Sequence, residues 1–378
     1  QIGDEEHLLG GDRVALGVYH GAGGEIAQTG HGGAVHFGGR VLDVALGEGG
    51  NFPASIKTTA EYFPKKDRAL ATTIFNAGSS IGALSAPLIV PVLADLFGWE
   101  MAFVIIGLLG FVWMFFWVFM YDKPQDSKYV NQAELEYIQQ DDAASVEEVK
   151  PAQGKAIPFL KCFRYRQTWS FFFGKFLTDG VWWFLLFWAP AYFSECGYPM
   201  QTTTGKMLVF VLYLIVTVVS IFGGYLPKYF VEKKAMEPYA GRMRAMLIFA
   251  FVPLLALFAQ PLQDYSIWFP AIIIGLAGAG HQAWSANIYS TTGDMFPKSA
   301  VATITGIGGM AGGISSFLIN KGAGVLFTYS ENAGAAFTFL GFEGKEAGYM
   351  IMFCLCAVAY VVAWSAMKIL VPKYKKIA

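Results

Sequence analysis

The sequence predicts an all-α polytopic membrane protein, and three observations carry that prediction. Of its 378 residues 55% are hydrophobic and only 15% are charged, where a soluble domain of this length needs more polar side chains to cover its surface. Apolar runs near the roughly 20 residues that a membrane helix requires recur from Leu42 onward. The polar breaks between these runs alternate between cation-rich and cation-poor.

The runs predict nine spans, at 42–62, 68–94, 99–121, 168–193, 205–230, 243–262, 266–291, 299–327 and 348–370. Lys65, Lys66 and Arg68 follow the first span. Lys123, Lys128, Lys150, Lys155, Lys161, Arg164 and Arg166 occupy the third break. Lys228, Lys233, Lys234, Arg242 and Arg244 follow the fifth, Lys298 the seventh, and Lys373, Lys375 and Lys376 end the chain. The alternate breaks hold little more than Lys206 and Lys345. Cationic loops stay cytoplasmic, so every other break and the C-terminus are expected inside a cell inner (plasma) membrane. The long break at 122–167 is expected to lie in the cytoplasm and carry a short helix near 132–141, because Asn131 and Glu134 have capping-box spacing.

Function classes narrow by exclusion. A net charge of −1 gives no basis for nucleic-acid binding. Cys162, Cys196, Cys354 and Cys356 lack metal-site spacing and read as reduced, packed thiols. No Walker loop, HExxH, CxxC or catalytic triad pattern is present, so no cofactor and no enzymatic activity are expected, and an ion gradient is the expected energy source. A non-transporting membrane sensor stays open as an alternative.

Ionisable side chains inside apolar spans are the candidate functional residues, since a charge in the bilayer is costly and tends to face a shared interior. Glu48 sits among Gly47, Gly49 and Gly50 early in the first span. It reads as a titrating proton site or as a structural carboxylate. Lys175 and Asp179 form an i, i+4 pair, followed by Trp182 and Trp183. A cation there can meet an anion and an indole can stack on an apolar ring face; the bland alternative is an internally neutralised pair, with the aromatics facing lipid or the interface. Asn76 and Ser79, about one turn apart, can bond the hydroxyls of a ligand or a neighbouring helix. His281, Gln282 and Ser285 fall near one stripe of a hydrophobic span, which should face a cavity. Lys57 and Glu61 read as a structural pair near the cytoplasmic end, and Asp294 as a cap or a partner for a basic loop residue. Pro87 and Pro91 should kink their helix.

Gly47-Glu-Gly-Gly-Asn-Phe-Pro53, with Phe63-Pro-Lys-Lys after it, resembles the fourth helix of hexuronate transporters. These form part of the anion:cation symporter group of the major facilitator superfamily. Asp67-Arg-Ala-Leu-Ala and Phe75-Asn-Ala-Gly-Ser-Ser-Ile-Gly82 resemble the fifth helix, and Gly174-Lys-Phe-Leu-Thr-Asp179 the seventh. Gly280-His-Gln-Ala-Trp-Ser-Ala-Asn287, Asp294-Met-Phe-Pro297 and Gly306-Ile-Gly-Gly-Met-Ala-Gly312 resemble the tenth and eleventh. The resemblance covers roughly 41–378 and implies a twelve-helix fold of two six-helix halves, here incomplete. It implies proton-coupled symport of a hexuronate, a small anionic sugar, by a monomer in the lipid bilayer, with Glu48 as proton carrier and the polar residues above as substrate contacts. Other sugar acids or a small dicarboxylate remain alternatives. The family usually carries an arginine seven residues before this glutamate; here Arg40 is eight before. On this scheme residues 41–121 complete the N-terminal half and 168–378 form the C-terminal half.

Residues 1–40 depart from the rest, with 12 glycines and four of the five histidines. Read one base later, codons compatible with Gln1–Asp12 permit Leu-Gly-Thr-Lys-Asn-Ile-Phe-Trp-Ala-Val, which resembles the end of the family's loop signature entering a helix. The expectation is a frameshifted third helix, with a polar head as the alternative.

Overall fold

The computed structural model describes residues 51–143, 157–374 and 377; the expectations for residues 1–40, Arg40 and Glu48 lie outside them. The described chain is almost wholly helical. Helix α1 (Asn51–Tyr62) leads to α2 (Arg68–Phe97) and α3 (Trp99–Met120). The connecting segment contains α4 (Gln132–Ala143) and the short α5 (Phe159–Cys162). Then come α6 (Arg166–Glu195), α7 (Thr203–Lys234), α8 (Pro238–Ala250), the short α9 (Ala259–Leu262), α10 (Trp268–Met295), α11 (Lys298–Ala333) and α12 (Gly344–Leu370).

Five described helical segments are long and apolar enough to cross a membrane: Glu100–Met120, Thr203–Lys234, Pro238–Leu262, Ser299–Ala336 and Gly344–Leu370. Helices α6 and α10 match them in length but carry charged or polar side chains in mid-helix, among them Lys175, Asp179, His281 and Gln282. The count of nine crossings thus remains a reading of sequence. The span expected at 243–262 is not one regular helix. It tightens into a 3-10 segment over Val252–Phe258, where Pro253 supplies no N–H for a continuing α-helical ladder. By contrast α2 continues through Pro87 and Pro91.

Local chemistry accounts for several boundaries. The Asn131 side chain accepts from Glu134 N at 2.9 Å, and the Glu134 carboxylate accepts from Asn131 N at 3.1 Å, so the expected capping box starts α4. Thr202 caps α7 by accepting from Gly205 N at 3.0 Å, and Lys233 and Lys234 complement the far end of its dipole. Before α12, Thr338–Phe339 (β1) and Phe342–Glu343 (β2) pair antiparallel around Leu340 and Gly341. Both turn residues have positive φ, 50° and 87°, as a tight hairpin turn needs.

Helix α10 is the axis of the packing. It lies against α7, α8, α2 and the 3-10 segment, while α6 packs between α11 and α12. Within lipid, helices associate through close contact and hydrogen bonds rather than through water exclusion. At the α7–α10 crossing a Cβ on Gly223 would lie 2.3 Å from Ala283 Cβ, so only glycine fits. Asn287 then clamps the crossing, donating to Gly223 O at 3.0 Å and Ala283 O at 2.8 Å. Helix α3 packs on α2 and exposes Phe103, Leu109, Trp113, Phe116 and Phe119, a surface suited to lipid.

The cation-rich breaks converge at one end. Arg242 and Asp294, both almost fully buried, pair at 2.6 Å, so Asp294, expected to cap or to pair with a basic loop residue, has a basic partner that lies within helix α8. A second Arg242 nitrogen donates to Lys65 O, Tyr374 donates to Asp294 O, and Ile377 N donates to Met295 O. Arg68 donates to Ala60 O and Gly293 O, each at 3.0 Å. Asp67 accepts from Lys228 at 2.6 Å and from Tyr137 of α4, over whose ring Lys66 Nζ lies 4.7 Å from the centroid. The α1–α2 turn, the linker helix and the α7, α8 and α10 ends thereby form one polar network. Lys57, more peripheral, lies 3.8 Å from Glu61, which accepts from Tyr121.

This network can be tested at two points. Asp294→Asn should strand the buried Arg242 and cost about 3–5 kcal/mol, read as a lower thermal midpoint in detergent. The Arg242→Leu/Asp294→Leu double variant should recover most of that loss; recovery of none would contradict the argument. At Asp67 burial opposes the charge, yet the bonds from Lys228 and Tyr137 hold the carboxyl below its usual 3.8. The same bond pushes the Tyr137 hydroxyl up to about 12. The stabilisation from a depressed carboxyl is present above its unfolded value and disappears as pH falls through the folded one. Asp67→Asn should therefore flatten the acid limb of the stability–pH curve.

Candidate functional site

Helix α6 places Lys175, Asp179 and Trp182 at i, i+4 and i+7, on one face. Lys175 Nζ lies 2.7 Å from Asp179 Oδ2, and the two side chains are 3% and 12% exposed. Removing both charges from water is expensive, and pairing alone offsets only part of that cost. The ammonium gains more by sitting 4.0 Å above the centre of the Tyr289 ring on α10. Asp179 Oδ1 is buried and has no hydrogen-bond partner among the described residues. Gly312 of α11 makes room for this carboxylate, since a Cβ there would lie 2.2 Å from Oδ2.

One turn along, α6 meets α10 and α12. Trp182 stacks on His281 with ring centres 5.0 Å apart and planes 5° from parallel. His281 Nδ1 is 2.7 Å from the Tyr360 hydroxyl, which lies 3.4 Å from Thr178 O. These distances fit Nδ1–H donating to the phenol oxygen, leaving the phenol proton for the Thr178 carbonyl. Trp284 stands edge-on to Tyr360 at 5.7 Å, and its buried indole N–H has no partner among the described residues. Ser285, one turn from both His281 and Tyr289, lies between them on the α10 stripe and is buried.

The structure thus brings together Lys175, Asp179, His281 and the stripe carrying Ser285. Gln282 is buried on the same helix. Asn76 is buried on α2, which meets α10 where Thr72 and Ser290 hydroxyls lie 3.5 Å apart. The Ser79 side chain lies outside the described residues. Trp183 is 36% exposed and stacks on Phe187, whereas Trp182 is the indole that stacks on His281. A helix turns about 100° per residue, so the face of Lys175 and Asp179 continues to Trp182 and not to its neighbour. Sequence reasoning missed Tyr289 and Tyr360, two tyrosines among many, because nothing local marks which rings meet a lysine or a histidine. Gly312 stood out in the sequence only as the end of the Gly306–Gly312 stretch that carries the family resemblance. Its partner is a carboxylate, which no small-residue pattern reveals.

This geometry supplies a mutational contrast on one helix. Gly312→Ala should overpack the site by about 1–3 kcal/mol and lower the thermal midpoint. Gly309→Ala, at a position where a Cβ would meet nothing within 4 Å, should leave the midpoint near the parent value. Equal effects would argue against the close approach of α11 to Asp179.

The comparisons with known proteins agree with this architecture. The chain is 29% identical over 288 residues to the hexuronate transporter of Escherichia coli K12, a match covering 75% of this chain and 64% of that protein. It therefore spans just under two thirds of that relative's length. It is 32% identical over 188 residues to the galacturonate transporter of Dickeya chrysanthemi, covering 50% and 53% of the two chains. It is 24% identical over 318 residues to the probable galactarate/D-glucarate transporter GarP of E. coli K12, covering 82% and 70%. The Major Facilitator Superfamily profile matches residues 35–319. With that match across most of an all-α chain of long apolar helices, the protein belongs to the Major Facilitator Superfamily and is a multi-pass membrane protein.

Proposed function

We propose that the protein is a proton-coupled symporter of a hexuronate such as glucuronate or galacturonate, working by alternating access in an inner membrane with its C-terminus in the cytoplasm. One observation carries this reading: an ammonium, Lys175, is held dry between Asp179 and the Tyr289 ring inside a transporter bundle. A substrate carboxylate competes with Asp179 for that cation, and the neighbouring His281, Gln282 and Ser285 stripe can bond hydroxyls. Displacing Asp179 would leave a buried carboxylate uncompensated, a cost that proton uptake relieves. Anion entry and protonation then favour each other, with Glu48 as the principal carrier. Asn76, Ser79 and Arg40 complete the proposed substrate contacts. Each ligand shifts the inward–outward equilibrium only by its difference in affinity for the two states.

Similarity to the probable galactarate/D-glucarate transporter GarP favours a second reading in which the substrate is a sugar diacid. Competition by a panel of mono- and diacids separates the two.

Uptake of labelled glucuronate into proteoliposomes should require an inward proton gradient. Lys175→Met should reduce it at least tenfold, and Lys175→Met/Asp179→Asn, which strands no buried charge, should do the same while keeping the thermal midpoint within a few degrees of the parent. Glu48→Gln should abolish accumulation against a gradient but retain exchange. Undiminished, gradient-driven uptake by Lys175→Met would remove the proposed role of the buried ammonium.

A further inference from the structure

At the end of the bundle opposite the Arg242–Asp294 pair, the ends of α6 and α9 and the starts of α10 and α12 enclose a cavity of about 390 Å³. That volume suits a small organic molecule. Two side chains lining it are almost fully buried and incompletely bonded. Gln260 Oε1 and the Tyr349 hydroxyl have no hydrogen-bond partner among the described residues, although Gln260 is 1% and Tyr349 3% exposed. An orphaned buried polar atom costs about 1–3 kcal/mol, so each is a place where a ligand would gain. The amide oxygen can only accept, so a ligand that meets it must donate, and the phenol oxygen can accept from the same donor.

The charge of the cavity points the same way. Lys345, the cation at its wall, is engaged by Glu195 at 2.7 Å and Glu331 at 3.0 Å. Asp264 and Glu346 line the same space and make no ion pair among the described residues. Tyr192 and Cys196 both donate to Gln263 Oε1, at 2.7 and 3.2 Å, so that oxygen is already satisfied. An acceptor-rich, net negative and tyrosine-walled cavity repels a sugar acid and suits a cation with several N–H donors.

We propose that this cavity binds a primary ammonium, with Gln260 Oε1 and the Tyr349 oxygen accepting its protons and Asp264 and Glu346 meeting its charge. The site is separate from the Lys175 centre and does not depend on which substrate is carried. A free small amine and the head group of an aminophospholipid share this chemistry.

Ethanolamine, titrated into the purified full chain in detergent and amine-free phosphate buffer, should raise the thermal midpoint saturably and slow maleimide labelling of Cys196 at least threefold. Ethylene glycol should do neither, and glucuronate should leave the labelling rate of Cys196 unchanged. Tyr349→Phe and Glu346→Gln, each retaining the parent midpoint without ligand, should weaken both effects several-fold. In nanodiscs, slower basal labelling of Cys196 with phosphatidylethanolamine than with phosphatidylglycerol supports the lipid head group as the source. Equal basal labelling with protection by added ethanolamine in both supports a free amine. No midpoint shift and no protection in any setting, or an equal effect from ethylene glycol, overturns the proposal.

Discussion

A charge withdrawn from water must find its counter-charge inside the protein, and the packing of this bundle is arranged around that requirement. Arg242 and Asp294 are almost fully buried at one end, and Lys175 and Asp179 are buried among α6, α10 and α11. The two pairs are built differently. The Arg242 guanidinium makes two bonds to Asp294 and one to the Lys65 carbonyl, so it ties its own helix α8 to two other elements, α10 and the α1–α2 turn. The Lys175 pair lies on one helix, with the Tyr289 face as its contact from another. The first arrangement suits a junction that holds segments together. The second leaves an oxygen of Asp179 without a hydrogen-bond partner among the described residues and so suits a site that exchanges partners.

Small residues let these charges meet. In lipid, helix pairs gain from close contact, and close contact needs backbones without side chains between them. Gly223 against Ala283 brings α7 and α10 near enough for Asn287 to bond both backbones. Gly312 opens the space that the Asp179 carboxylate occupies. Packing and electrostatics are therefore one problem here: a methyl group at either glycine would move a polar partner out of reach.

The network at the cation-rich end links the α1–α2 turn and the linker helix α4 to α7, α8 and α10. Asp67 sits where these parts meet, bonded to Lys228 of α7 and Tyr137 of α4. Alternating access, as proposed, requires such a junction to open, and the Asp67–Lys228 pair, whose side chains are 11% and 26% exposed, is wetter than Arg242–Asp294 and costs less to break. The buried Arg242–Asp294 pair costs more, which favours motion that keeps α8 and α10 together.

Much of this was legible in the sequence because it is local. Apolar run length predicts helices, Asn131 and Glu134 at capping-box spacing predict the start of α4, and Lys175 and Asp179 at i, i+4 predict an intrahelical pair. What sequence could not decide depends on which faces meet. Periodicity places Trp182 with Lys175, yet only the contact with His281 of α10 shows that the indole stacks inward while Trp183 turns out. Tyr289 under the ammonium, Tyr360 on His281 and the carboxylate in the space left by Gly312 are meetings of residues distant in the chain, set by helix crossings. The sequence by itself determined the helices and the charges they carry. The tertiary structure decided their partners, because a side chain's spacing along its own helix says nothing about the helix that will face it.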